Sequence, residues 1–277
     1  AQEEAIADLK TEQVTRWMSE RQNDLLLLRS DPRIPELYFN WKDHGDEASR
    51  KLLVARLVQF TRTKGYEGVL LDPDRNVLWR SGETAGAGEA HRHAAPPPLA
   101  SGESTAPARL HRDEKNVVHL DFTVPFPGTG VRAGPLLILH ADPTAVLFPE
   151  LMSWPVPSQS AEAFLVSLEG DRILYLSSLR HLTDVAGLLR VPSDKSGLLA
   201  AIALRGNLAA KPVIEADDYR GEPVVGVYRQ VPGTQWVLLA KIDRTELYAE
   251  AWRDGAWISI AGLLGLVAAV GVACGAR

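Results

Sequence analysis

The chain has 277 residues, more than one typical domain, so two folded units with connecting helices are the starting expectation. Hydrophobic residues make up 45% and charged residues 23%, which excludes wholesale disorder. The 30 basic and 35 acidic side chains leave a net charge of -5, with no basic stripe to gather nucleic-acid phosphates.

The first thirty residues predict the clearest helix. Ile6, Leu9, Val14, Trp17, Leu25 and Leu28 recur at three-, four- and near-heptad spacing, and no Gly or Pro interrupts before Pro32. Glu12, Arg16, Glu20 and Asn23 occupy the other side. Trp17, Leu25 and Leu28 lie near one stripe, which suits either the chain's own sheets or a partner helix in a parallel homodimer. A polar segment around Asn40 to Asp46 precedes a second helix, Glu47 to Lys64.

The period then changes. Gly68 to Trp79 reads as strand, turn, strand, with Asp72-Pro73-Asp74 in the turn. Residues 82–116 are rich in Gly, Ala, Pro and His without period, the pattern of a long surface loop. Val117 to Val124 and Leu136 to Ala141 read as two more strands, and Phe148 to Ser158 as a proline-stiffened crossover.

A second pass of the same pattern follows. Leu71-Asp72-Pro73-Asp74-Arg75 is matched by Leu168-Glu169-Gly170-Asp171-Arg172, an offset of 97. Pro127-Gly128-Thr129 is matched by Pro232-Gly233-Thr234, an offset of 105, and Asp142 by Asp243. Turns draw on few residue types, so each match alone is weak, but three in the same order indicate two similar α+β modules. Val224 to Tyr228 and Trp236 to Ile242 form the last hairpin, and Asp243 with Glu246 caps an exit helix.

From Ala256 to Ala273 no residue is charged, Trp252 and Trp257 stand at the N-terminal edge and Arg277 follows. This is the pattern of a membrane-spanning helix over 256–274, with residues 1–255 periplasmic or extracellular and Arg277 inside. The only cysteine is Cys274, so thiolate zinc sites, disulfides and cysteine nucleophiles are excluded from the preceding residues. The chain begins at Ala1 rather than Met, and the expectation is the outer part of a longer receptor.

Two antiparallel-sheet modules on one long helix, tethered by a span, resemble the double Cache (tandem PAS-like) sensor region of bacterial receptors. The most specific stretches are Asp218-Tyr-Arg-Gly-Glu-Pro-Val-Val-Gly226 and Val231-Pro-Gly-Thr-Gln-Trp-Val-Leu-Leu-Ala-Lys-Ile-Asp243, then Glu246. Lys10 to Asp24 is similar to the helix entering such domains, and Trp154 to Ser158 with Leu179-Arg180-His181 resembles a subgroup attached to sensor kinases. The resemblance covers nearly the whole chain. It implies an α+β fold: a long N-terminal helix (1–30), a membrane-distal Cache module (31–157), a membrane-proximal one (158–243), an exit helix (244–255) and the span (256–274). It implies a ligand-sensing region most like those of sensor histidine kinases, with a diguanylate cyclase or chemoreceptor output as the runner-up. An anchored binding module without signalling is the other class. Amino-acid-binding members resemble one another in a Tyr…Arg-x-Trp-Tyr…Tyr…Asp set. Here Trp79-Arg80 stands in a different order without flanking tyrosines, so an amino-acid ligand is unsupported.

The candidate ligand residues come from the strands. His119, Asp121 and Thr123 alternate with Val118, Leu120, Phe122 and Val124 and so share a face. His140 and Asp142 end the next strand, and Trp79 and Arg80 end the strand before the long loop. The bland reading is a solvated sheet face. Together they suit a small polar or anionic molecule. No Gly-x-Ser-x-Gly elbow, His-Glu-x-x-His or phosphate loop is present, so an anchored hydrolase has no nucleophile and no catalytic residue is assigned. No cofactor is called for, and His91 with His93 is too small a donor set for a metal.

Overall fold

The computed structural model describes residues 2–82, 108–113, 116–130, 132–206 and 213–249. The expected span at 256–274, His91 and His93 lie outside them. Among the described residues no helix is long and apolar enough to cross a membrane.

Helix α1 (Gln2–Arg29) runs 28 residues, as its spacing predicts. Helix α2 (Arg33–His44) departs from the reading of that stretch as a polar segment. Pro32 stands at its N-cap with φ -68°, where a missing N–H costs nothing, and Ile34, Leu37 and Tyr38 are buried. Asn40, Lys42 and Asp43 lie beyond those buried positions, so the polar residues hid a helix with one apolar face. Gly45, at φ 66°, closes α2 in the left-handed conformation. Asp46 then caps α3 (Glu47–Lys64) by accepting the Ala48 N–H at 3.0 Å.

The distal sheet is built from β1 (Tyr66–Leu71), β2 (Val77–Arg80), β3 (Arg109–Arg112), β4 (Val118–Pro125) and β5 (Leu136–Ala141). All its pairs are antiparallel, in the order β2-β1-β5-β4-β3. Strand β3 lies inside the stretch expected to be loop. Helix α4 (Leu147–Met152) crosses to the proximal sheet. There β6 (Glu162–Glu169), β7 (Arg172–Tyr175), β8 (Arg190–Pro192), β9 (Val213–Asp217), β10 (Pro223–Gln230) and β11 (Val237–Asp243) are ordered β8-β7-β6-β11-β10-β9, with α5 (Leu199–Arg205) against them. Strands β8 and β9 and helix α5 were not legible in the sequence. Residues 244–249 continue from β11 as helix.

The two sheets share a topology. Reading β6 for β1, β7 for β2, β11 for β5, β10 for β4 and β9 for β3 converts the distal order into the proximal one, with β8 added at an edge. The internal repeat is therefore structural.

Helix α1 passes across both. Asp8, near its start, receives Arg229 Nε of β10 at 2.6 Å, while further along Trp17 packs on Phe122 of β4. Asp24 accepts from the Tyr66 hydroxyl at 3.1 Å, and Lys10 donates to the Glu150 carbonyl of α4. One apolar cluster consequently runs from Leu120 and Phe122, through Val14, Trp17 and Met18, to Leu165 and Leu238. Trp17, Leu25 and Leu28, the stripe that suited a dimer partner, are buried in the chain's own core. The large apolar residues α1 turns outward are Leu9, Leu26 and Leu27.

This arrangement makes neighbouring leucines unequal. Leu25→Ala removes a side chain 1% exposed and should cost about 2–5 kcal/mol in denaturant unfolding. Leu27→Ala, at a site 62% exposed, should stay within about 0.5 kcal/mol of the parent. Equal losses at the two positions would contradict the packing of α1.

Candidate functional site

The polar residues of the distal sheet gather on the face away from α1. Alternation sends Leu120, Phe122, Leu137 and Leu139 into the core with α1, and His119, Asp121 and His140 to the other side. Register completes the set: Asp121 stands opposite His140 in β5 and Arg109 in β3, and His119 stands opposite His111. Histidine 111 was missed because it lies in the segment read as loop. The available signal was the hairpin itself, since Asp113 N–H donates to the Val117 carbonyl at 3.0 Å and the Asp113 carboxylate accepts the Val117 N–H at 2.7 Å.

The three imidazoles form a near-equilateral triangle, with ring centroids 5.6 Å apart for His111–His119 and 5.7 Å for the two pairs with His140. Asp121 stands between two of them. Its Oδ1 lies 2.5 Å from His140 Nδ1 and its Oδ2 lies 3.1 Å from His111 Nδ1, while His119 Nε2 lies 3.4 Å from Asp113. Burial acts to raise the Asp121 carboxyl, but the two adjacent imidazoles outweigh it and hold the group down at about 2. His140 is buried, and His119 and Asp121 are half-buried. One ligand atom each from His111, Asp121 and His140 falls within 4.8 Å of the others, a donor set that could hold a metal ion.

Of the residues named from sequence, His119, Asp121 and His140 come together and three others do not. Trp79 pairs with Leu70 and turns to the helical side. Its ring covers Gly68, where a Cβ would meet the indole at 3.1 Å and Thr61 of α3 at 3.0 Å. Arg80 shares the Asp121 face but sits on β2, and three strand spacings of about 4.8 Å put it roughly 14 Å away. Asp142 is exposed and spends its carboxylate on a turn, accepting the Thr144 N–H at 2.8 Å and hydroxyl at 2.6 Å. The candidate site is narrower than the sequence reading made it.

The strand carrying His111 also touches the other module. Arg112 donates from Nε to the Ala186 carbonyl at 2.9 Å and from Nη2 to the Asp184 carbonyl at 3.0 Å. Gly187 beside them has φ 73° and would place a Cβ 2.9 Å from Leu110. Strand β3 is thereby tied to residues 184–187.

The corresponding face of the proximal sheet has different contents. The repeat that matches Asp142 with Asp243 matches His140 with Lys241, whose ammonium is fully buried. It lies 3.2 Å from Glu162, 3.1 Å from Asp218 and 3.0 Å from Asp243. Arg220 bridges Asp218 and Asp243, and the Tyr219 hydroxyl donates to Glu162 at 2.7 Å. Burial would raise the Asp218 carboxyl, yet Arg220 and Lys241 keep it below its ordinary value. These groups satisfy one another. Beyond them Glu246, in the helical residues 244–249, accepts from Ser158 Oγ, Gln159 N–H and Ser160 N–H at 2.9 Å each, and from Ser160 Oγ. Glu246 thus clamps the exit from the sheet onto the chain entering it.

No protein-family profile matches the chain, and no curated protein does. Solved structures match along most of it. The ligand-binding domain of the Pseudomonas aeruginosa PAO1 amino acid chemoreceptor PctB, in complex with L-Gln, aligns with a TM-score of 0.57 and 16% identity over 92% of this chain and 96% of that one. The ligand-binding domain of the Campylobacter jejuni chemoreceptor Tlp3, in complex with 4-methylisoleucine, gives 0.58 and 14% over 87% and 89%. The extracellular domain of the putative histidine kinase rpHK1S-Z16 gives 0.59 and 11% over 88% and 94%. The chain has the fold of these domains.

The buried proximal charges predict an asymmetric response to mutation. Lys241→Met leaves Glu162 and Asp218 without their shared cation and should cost about 3–5 kcal/mol in denaturant unfolding. Adding Glu162→Leu should recover a large part of that loss. Strict additivity of the two losses would show that the pair does not act as one unit.

Proposed function

We propose that this chain is the extracytoplasmic ligand-sensing region of a membrane-bound receptor, with the distal module as the sensor and the proximal module as the transmitter. The observation that carries the reading is the contrast between two sheets of one topology. The proximal outer face is closed by an apolar cluster under α5 and by its own ion pairs around Lys241, whereas the distal face collects His111, His119, Asp121 and His140. Fold likeness to ligand-binding domains of chemoreceptors and to a histidine kinase extracellular domain supports it. The ligand we infer is a small polar molecule bound against Asp121. A sensor histidine kinase output is favoured by Trp154 to Ser158 and Leu179-Arg180-His181, with a chemoreceptor as the second reading on the strength of PctB and Tlp3.

Ligand binding would bias the packing of the two modules through β3 and Arg112. A thermal-shift screen of carboxylates, amines, amino acids and metal salts should yield a hit whose stabilisation is lost in Asp121→Ala. Arg112→Ala should keep the affinity within about threefold while abolishing the ligand's effect on amide exchange at residues 184–187. A hit that binds Asp121→Ala at full strength would reject the distal site.

Membrane topology and pairing can be read in one set of variants. Glu12 and Glu20 are exposed on α1. Single cysteines there, in a Cys274→Ser background, should label with a membrane-impermeant maleimide from the outer side of spheroplasts and cross-link between parallel copies. Labelling only after lysis would overturn the topology, and no cross-link from any outward α1 position would overturn the homodimer.

A further inference from the structure

The geometry points to a binding site for a divalent transition-metal ion formed by His111, Asp121 and His140. It rests on the sensor reading for the ion's role as signal, and puts that ion in place of the small polar molecule against Asp121. The three residues come from β3, β4 and β5, adjacent strands of one sheet, so their backbones are held by ladder register rather than by loops. One ligand atom from each lies within 4.8 Å of the others. Imidazole nitrogen and carboxylate oxygen bind Zn²⁺ at about 2.0–2.2 Å, so small side-chain rotations bring all three onto one ion.

The donor chemistry narrows the ion. Two imidazoles and one carboxylate suit Zn²⁺, Ni²⁺, Cu²⁺ or Fe²⁺, whereas Ca²⁺ and Mg²⁺ take oxygen ligands. Three protein ligands leave at least one coordination position for water or an anion, as in zinc sites that exchange a ligand.

A second observation separates this from a simple hydrogen-bonded cluster. His111 Nδ1 is buried and lies 3.1 Å from Asp121 Oδ2, yet it has no hydrogen-bond partner. A network built for its own sake would have turned that ring to use the nitrogen. The His111 nitrogen is thus in reach of the carboxylate without being spent on it, while the short His140 Nδ1–Asp121 Oδ1 contact would open to admit the ion. Beside the triad, Asp113 stands 3.4 Å from His119, whose ring borders both ligand histidines. Arg109, opposite Asp121 in the ladder, is exposed, so its charge is solvated.

The test is calorimetric titration of the full chain, first freed of metal by a chelator, with Zn²⁺, Ni²⁺, Mg²⁺ and Ca²⁺ separately. One equivalent of Zn²⁺ or Ni²⁺ should bind, at least about tenfold more weakly in His111→Gln and in His140→Gln. Mg²⁺ and Ca²⁺ should not compete. Asp121→Asn, nearly identical in shape, should weaken binding as well, and unchanged metal-free melting would show that each variant folds. Unaltered affinity in the His111→Gln/His140→Gln double variant would overturn the proposal. So would the absence of stoichiometric binding, or affinity that follows His91→Ala/His93→Ala instead. Stoichiometric binding with no change in amide exchange at residues 184–187 would support the site while removing the ion's role as signal.

Discussion

A helix of 28 residues must bury an apolar stripe about 42 Å long, and five strands at about 4.8 Å spacing make a sheet only about 19 Å across. One sheet cannot cover α1. Two can, and the rest of the architecture follows from that mismatch. Arg229 docks the start of the helix on the proximal sheet, and Phe122 and Tyr66 receive its later turns on the distal one. The modules share a core through α1, with Val14, Trp17 and Met18 between Phe122 on one side and Leu238 on the other. Neither module can shift on the helix without disturbing contacts that the other also uses.

Covering α1 occupies one face of each sheet and leaves the other face of each to differ. At matched positions the distal module places His140 and the proximal one Lys241. The ammonium is fully buried and cannot remain so without anions, which Glu162, Asp218 and Asp243 provide. That network is complete within the chain. An imidazole is neutral or charged at modest cost and offers a lone pair, so the distal face can keep three histidines and one aspartate close together without locking them into a closed set. One topology thus supports a face closed by its own ion pairs and a face that gathers imidazoles.

The connection between the modules runs through few residues. Arg112 follows His111 on β3 and holds the carbonyls of Asp184 and Ala186, and Gly187, in the left-handed conformation at φ 73°, sits against Leu110. At the far end, hydrogen bonds from Ser158, Gln159 and Ser160 keep the Glu246 carboxyl below its ordinary value against the opposing effect of burial. The exit helix is therefore fastened to the start of the proximal sheet rather than hanging from its last strand.

Periodicity by itself determined α1, α3 and most strands of both sheets, because each carries an apolar repeat long enough to declare its own period. It also revealed the repeated module, through turn residues that backbone geometry demands. Elements with a single short apolar face, such as α2 and α5, had no such signature and formed because neighbours buried them, while β9, with no buried residue, is defined by its pairing with β10. Alternation placed His119 and Asp121 on one face. Only register brought His140 and His111 against Asp121, and only strand order removed Arg80, because both depend on which strands pair across long loops. Sequence spacing within one strand is local and readable, whereas a site assembled from three strands exists only once non-local hydrogen bonds have chosen the neighbours.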